Sequence, residues 1–178
     1  MNKACGLFYF LLYKFCYHDK MVLGGNMKLA VALQERADLN KKIEQLNYRL
    51  GNNAVVQDGE KTQETPEELL NELNTCLDNL EKLICRINLT NCQTKTNYKD
   101  MTLTELIARK DILTVKINSY RNLVNTASNL IPRVSRSEIK IKSNIDIKAT
   151  QKEIDKLSKE LRLVDNSIQE INWTVDLL

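Results

Sequence analysis

Apolar residues recur at three- and four-residue intervals through four long stretches of this chain, and each stretch predicts an amphipathic helix. In the first, from about Lys28 to Leu50, the positions Leu39, Ile43, Leu46 and Leu50 keep one stripe facing a partner. Gly51-Asn52-Asn53 is expected to end it, because Gly and Asn accept a left-handed cap. The second opens at Thr65-Pro66-Glu67-Glu68, a capping box with proline in the first turn. Leu69, Leu73, Cys76, Leu80, Leu83 and Ile87 form its seam, and Leu70, Leu77 and Ile84 widen that seam on one side. A stripe this broad fits a multi-helix bundle better than a bare two-stranded coil. After a polar turn over 91–100, a second capping box, Thr102-Leu103-Thr104-Glu105, opens a helix to about Asn129. Its inward face should hold Leu103, Leu106, Leu113, Ile117, Tyr120, Val124 and Ala127. Lys110 falls in the same seam and needs a snorkelling path or a carboxylate.

Beyond Pro132 the period changes. Glu138-Ile139-Lys140-Ile141-Lys142 alternates as a half-buried strand does, and Ile145-Asp146-Ile147 reads as a returning strand across Ser143-Asn144. The last helix, from about Lys148 to Trp173, carries Ile154, Leu157, Leu161, Val164, Ile168 and Ile171, with Val175 in the same rhythm. Helices of this size are about 35–42 Å long. The expected fold is all-α: an elongated antiparallel four-helix bundle or coiled coil with a small β-hairpin before the last helix. The width of the stripes also predicts self-association through helical seams.

Composition changes this picture mainly at the N-terminus. Residues 1–26 hold all three Phe, three of the six Tyr, two of the five Cys and the only histidine, His18. Gly24-Gly25-Asn26 precedes Met27, and its codons can spell a purine-rich ribosome-binding sequence before a start codon. We therefore expect translation to begin at Met27, with 1–26 a non-native extension and 27–178 a single helical domain. The alternative, a secretion leader, has an apolar run from Ala4 to Tyr13 in its favour but no small-x-small cleavage site. The formal net charge is +3; without the leader, 23 basic and 22 acidic residues remain. A nearly neutral surface gives little attraction for nucleic acid or anionic lipid, so neither is an expected partner. Cys76, Cys85 and Cys92 lie in one predicted helix without a C-x-x-C, which fits buried thiols in a reducing cytoplasm.

Chemistry is thin in 27–178. Without histidine there is no Ser-His or Cys-His pair and no imidazole metal ligand. The two glycines, Gly51 and Gly59, build no phosphate loop. Carboxylate pairs such as Glu67 and Glu68 fit capping and solvation better than catalysis. No enzyme activity, metal or cofactor is expected. Arg133, Ser135, Arg136 and Ser137 form a basic, serine-rich connection that either grips a phosphate or carboxylate or pins the chain structurally. Arg86, Asn88 and Asn91 end the second helix with polar groups fit to bond neighbouring helices or backbone, and Trp173, the only tryptophan, is a candidate core anchor or oligomer contact.

Met27-Lys28-Leu29-Ala30 with Glu35-Arg36-Ala37-Asp38-Leu39, Arg86-Ile87-Asn88-Leu89-Thr90-Asn91, Ser135-Arg136-Ser137-Glu138-Ile139-Lys140 and Ile168-Gln169-Glu170-Ile171-Asn172-Trp173 form a distinctive set. Together these segments resemble the septicolysin-like family of small bacterial helical proteins. The resemblance covers residues 27–178 and implies a bacterial source, but supplies no catalytic residues. Its cytolysin-derived name adds a membrane-active toxin as the alternative to a non-enzymatic, self-associating scaffold or interaction module. An anion- or nucleotide-binding protein is the third reading.

Overall fold

The computed structural model describes residues 27–57, 64–128 and 142–178. Among them are four long helices: α1 (Leu29–Asn53), α2 (Pro66–Gln93), α3 (Leu103–Ser128) and α4 (Ile147–Thr174). The described residues fall into two compact units. One holds the chain up to Gln93 together with Asn172–Leu178; the other is Thr94–Ile171.

Both predicted capping boxes form. At α2, the Glu68 amide donates to Thr65 Oγ1 and the Thr65 amide donates back to Glu68, each at 3.3 Å. At α3, Glu105 returns a 2.7 Å acceptor to the Thr102 amide while its own amide donates to Thr102 Oγ1. The C-terminal end of α1 departs from expectation: the helix runs through Gly51 to Asn53, and the cap, Ala54, is right-handed at φ −72°. Asn53 Nδ2 donates to the Arg49 carbonyl at 2.9 Å, so the asparagine extends the last turn instead of breaking it.

In the first unit, α1 and α2 pack against each other around Leu46, Leu69 and Cys76, with Ile43, Leu50 and Leu73 at the margin. Their charged edges fix an antiparallel register, because Lys42 pairs with Glu72 while Arg49, two turns on, pairs with Glu64. The third wall is the C-terminal tail. The Leu29 amide donates to Val175 O at 2.9 Å and the Leu177 amide to Met27 O at 2.7 Å, which makes a short antiparallel bridge between Lys28 and Asp176. Val175 therefore lies past the end of α4 rather than on its apolar stripe. Leu29 and Ala32 are fully buried in this unit, beyond the predicted stripe of α1.

In the second unit, α3 buries Leu103, Leu106, Leu113 and Ile117, and α4 buries Ile154, Leu157, Val164 and Ile168. Lys110 finds the carboxylate its position demands, with Nζ bonded to Asp165. The loop into α3 closes on itself: Thr96 donates to Met101 O at 2.8 Å and Leu103 to Thr94 O at 2.9 Å. Lys99 and Asp100 take left-handed conformations, φ 52° and 55°, to make that turn.

The predicted hairpin is corrected in its second half. Asp146 is the N-cap of α4, its Oδ1 accepting from the Ala149 amide at 2.9 Å and its carbonyl from the Thr150 amide at 3.0 Å. Ile147 is already helical, and Ser143 Oγ accepts from the Ile145 amide in a local turn. Side-chain capping and the long apolar rhythm behind it outweigh three residues of alternation. The first half of the hairpin, 138–141, lies outside the described residues, as do the leader 1–26 and the anion candidates Arg133, Ser135, Arg136 and Ser137.

Candidate functional site

Three features stand apart from plain helix packing. The first is the clasp on the C-terminal tail. Thr90, fully buried, sits one turn after Arg86 on the inner face of α2. Its hydroxyl donates to the Arg86 carbonyl at 2.9 Å and accepts the Leu178 amide at 3.0 Å. Arg86 Nε donates to Leu178 O at 2.8 Å, so the amide and an oxygen of Leu178 are both held from α2. On the other side Lys28 Nζ reaches the Thr174 carbonyl at 2.9 Å and the Asp176 carboxylate at 2.7 Å. The polar cluster at the end of α2 thus acts on backbone far away in sequence. Asn88 is exposed and Asn91 half-buried. Trp173 is 65% exposed, which removes the core-anchor reading.

The second feature is a charged knot in the second unit. Glu160 Oε1 accepts from Arg109 Nη2 at 2.7 Å and from the Tyr98 hydroxyl at 3.2 Å, with Lys99 Nζ at 3.8 Å. The Arg109 guanidinium, aided by Tyr98 and Lys99, holds the Glu160 carboxyl below the usual carboxylate range against partial burial. Its partner's charge is fixed in turn, since Arg109 is held further into the protonated form by the same hydrogen bond. The geometry orders the loop before α3 against α4. Several donors converge on one oxygen of Glu160, which favours its ionised form.

The third feature is apolar surface. On α2 the flanking positions Leu70, Leu77 and Ile84 are 48%, 43% and 37% exposed, one heptad apart, beside the buried seam of Leu69, Cys76 and Leu83. On α1 a shallow open cleft is lined by Val31, Gln34, Glu35, Asp38, Leu39 and Lys42, one face of a single helix. Among the described residues, no group of three or more His, Cys, Asp or Glu is placed to hold a metal ion, and no helix is long and apolar enough to cross a membrane.

Among the described residues the protein is thus all-helical, with paired long helices whose polar clusters fasten backbone and loops. A family model described as a family of unknown function, DUF6847, matches residues 36–177, and the chain belongs to that family. It is also similar to a solved structure titled as a functionally unknown conserved protein from Corynebacterium diphtheriae. The two are 34% identical with a TM-score of 0.77, over 86% of this chain and 100% of that one. Comparison with functionally curated proteins yields no match. These findings correct the septicolysin-like assignment: two of the segments that carried it, 86–91 and 168–173, fall within the DUF6847 match. They are short helix-end sequences, whose capping and packing demands many helical proteins share.

Proposed function

We propose that this protein is a non-enzymatic helical interaction module that associates with itself. The observation that carries the reading is the exposed heptad of Leu70, Leu77 and Ile84 beside the packed seam of α2. Leu73 and Leu80 lie half-buried between the two rows, so the apolar surface continues from core to solvent without a polar border. Repeated apolar exposure in helical register is the form that a helix-on-helix contact takes before its partner arrives. A cytoplasmic setting accompanies this reading. Cys76, Cys85 and Cys92 are separated along one helix by nine and seven residues, about 10 Å or more of rise, beyond the reach of a disulfide.

Sedimentation velocity of the full chain tests the proposal. A sedimentation coefficient that rises with concentration is the expected result. A wild-type chain that sediments as a monomer at every concentration overturns it.

A further inference from the structure

The self-association proposed above leaves its geometry open, and α3 supplies one. The inner residues of α3 are Leu103, Leu106, Leu113 and Ile117, all buried. A second row, apolar except for Ser119, runs along the same helix: Ala108, Ile112, Val115, Ser119 and Leu123, every one exposed, with Ile112 at 62%, Val115 at 61% and Leu123 at 46%. At 3.6 residues per turn the mean directions of the two rows are roughly 155° apart. A helix buried on one side only carries polar residues opposite its core. This one carries isoleucine and valine there.

The first four outer residues are spaced four, three and four, the a/d rhythm of a coiled-coil seam. Ile112 and Ser119 fall at a, Ala108 and Val115 at d. The small side chains of Ala108 and Ser119 let two backbones approach closely. The charges beside the row select the occupant and its direction. Asp111 occupies the g position on one flank, and Lys116, five residues later, occupies e on the other; both are exposed. In a parallel, in-register pair, g of one strand meets the e five residues on in its partner. A second copy of α3 therefore sets Asp111 opposite Lys116 twice, once on each side of the two-fold axis. An antiparallel pair matches e with e and g with g. That places Lys116 and Arg109 among themselves and Asp111 with Asp111 or Asn118, with no pair of opposite sign.

We infer that the outer face of α3 is the seam of a parallel, two-fold homodimer, with Ile112 and Val115 at its centre and Asp111–Lys116 pairs fixing its direction. This inference rests on the self-association reading and specifies which surface performs it.

Charge exchange on the full chain tests it, with the mass distribution read by native mass spectrometry and folding checked by circular dichroism. Asp111→Lys and Lys116→Asp each place like charges across both flanks, and each should raise the dimer dissociation constant about tenfold or more. Mixing the two variants should give the heterodimer in preference to either homodimer, and the double exchange should restore dimerisation. Ile112→Asp should yield monomer. If wild type dimerises and neither Ile112→Asp nor the charge changes affect it, the seam is elsewhere and only this inference falls. If Ile112→Asp dissociates the dimer while the mixed charge variants show no heterodimer preference, the parallel direction is refuted. A wild-type monomer removes both this inference and the reading beneath it.

Discussion

Replacing Thr90 by valine removes one oxygen from a fully buried position and nothing else of consequence. Valine keeps the β-branched shape and lies near threonine in helix propensity, so neither cavity nor backbone preference changes much. The hydroxyl's bond to the Arg86 carbonyl is the lesser loss, because that carbonyl also sits in the helical ladder. The larger loss is the acceptor for the Leu178 amide, which the tail offers to Thr90 at 3.0 Å. An amide left short of a partner in a part-buried site costs about 1–2 kcal/mol. Thr75 supplies the internal control. It makes the same 2.9 Å bond to the carbonyl four residues back, but on an exposed face. Thr75→Val should change stability by less than about 0.5 kcal/mol. Urea unfolding followed by Trp173 fluorescence reports on the unit containing the clasp, since the only tryptophan lies in its Asn172–Leu178 segment. Hydrogen exchange at the Leu178 amide should speed up in Thr90→Val and stay unchanged in Thr75→Val. Equal costs for the two variants, or unaltered exchange at Leu178, would refute the clasp as a source of stability.

Other expectations follow from the same contacts. Leu46 is fully buried between α1 and α2, so Leu46→Ala should cost about 2–5 kcal/mol in the same unfolding assay. Glu160 has a folded pKa below its unfolded value, so the stability it contributes is present above the ordinary glutamate range and lost as pH falls through the folded value. Arg109→Gln should therefore raise the Glu160 midpoint in a carboxyl NMR titration and flatten the acid limb of thermal stability; an unmoved midpoint counts against the Arg109 contact as its main cause. Lys42 meets Glu72 at an exposed edge, so exchanging Lys42 for alanine should move the urea midpoint only slightly, and by less still at high salt.

The parts of this fold readable in sequence are those whose physics is local. Thr65 with Glu68, and Thr102 with Glu105, satisfy each other's amides within one turn, so four residues suffice to announce a helix start. The demand of Lys110 for a carboxylate was equally visible, though its partner, Asp165, was not, because the pairing spans 55 positions. Gly51 misled because an exposed glycine late in a helix is tolerated when the following residues keep helical geometry and Asn53 bonds back. Ile145-Asp146-Ile147 misled because alternation over three residues cannot be told from a capping residue between two isoleucines. The polar end of α2 stood out as unusual, yet its object, the backbone of Leu178, lies 92 positions from Arg86 and leaves no local trace. The two apolar rows of α3 blur each other in a periodicity reading, and only burial separates the row that packs from the row that faces water.

Self-association is the central claim, and the intact mass of the full chain in solution tests it most directly. Sedimentation equilibrium across a wide concentration range should give a reversible monomer–dimer isotherm. A single mass equal to one chain, at every concentration, would contradict the account.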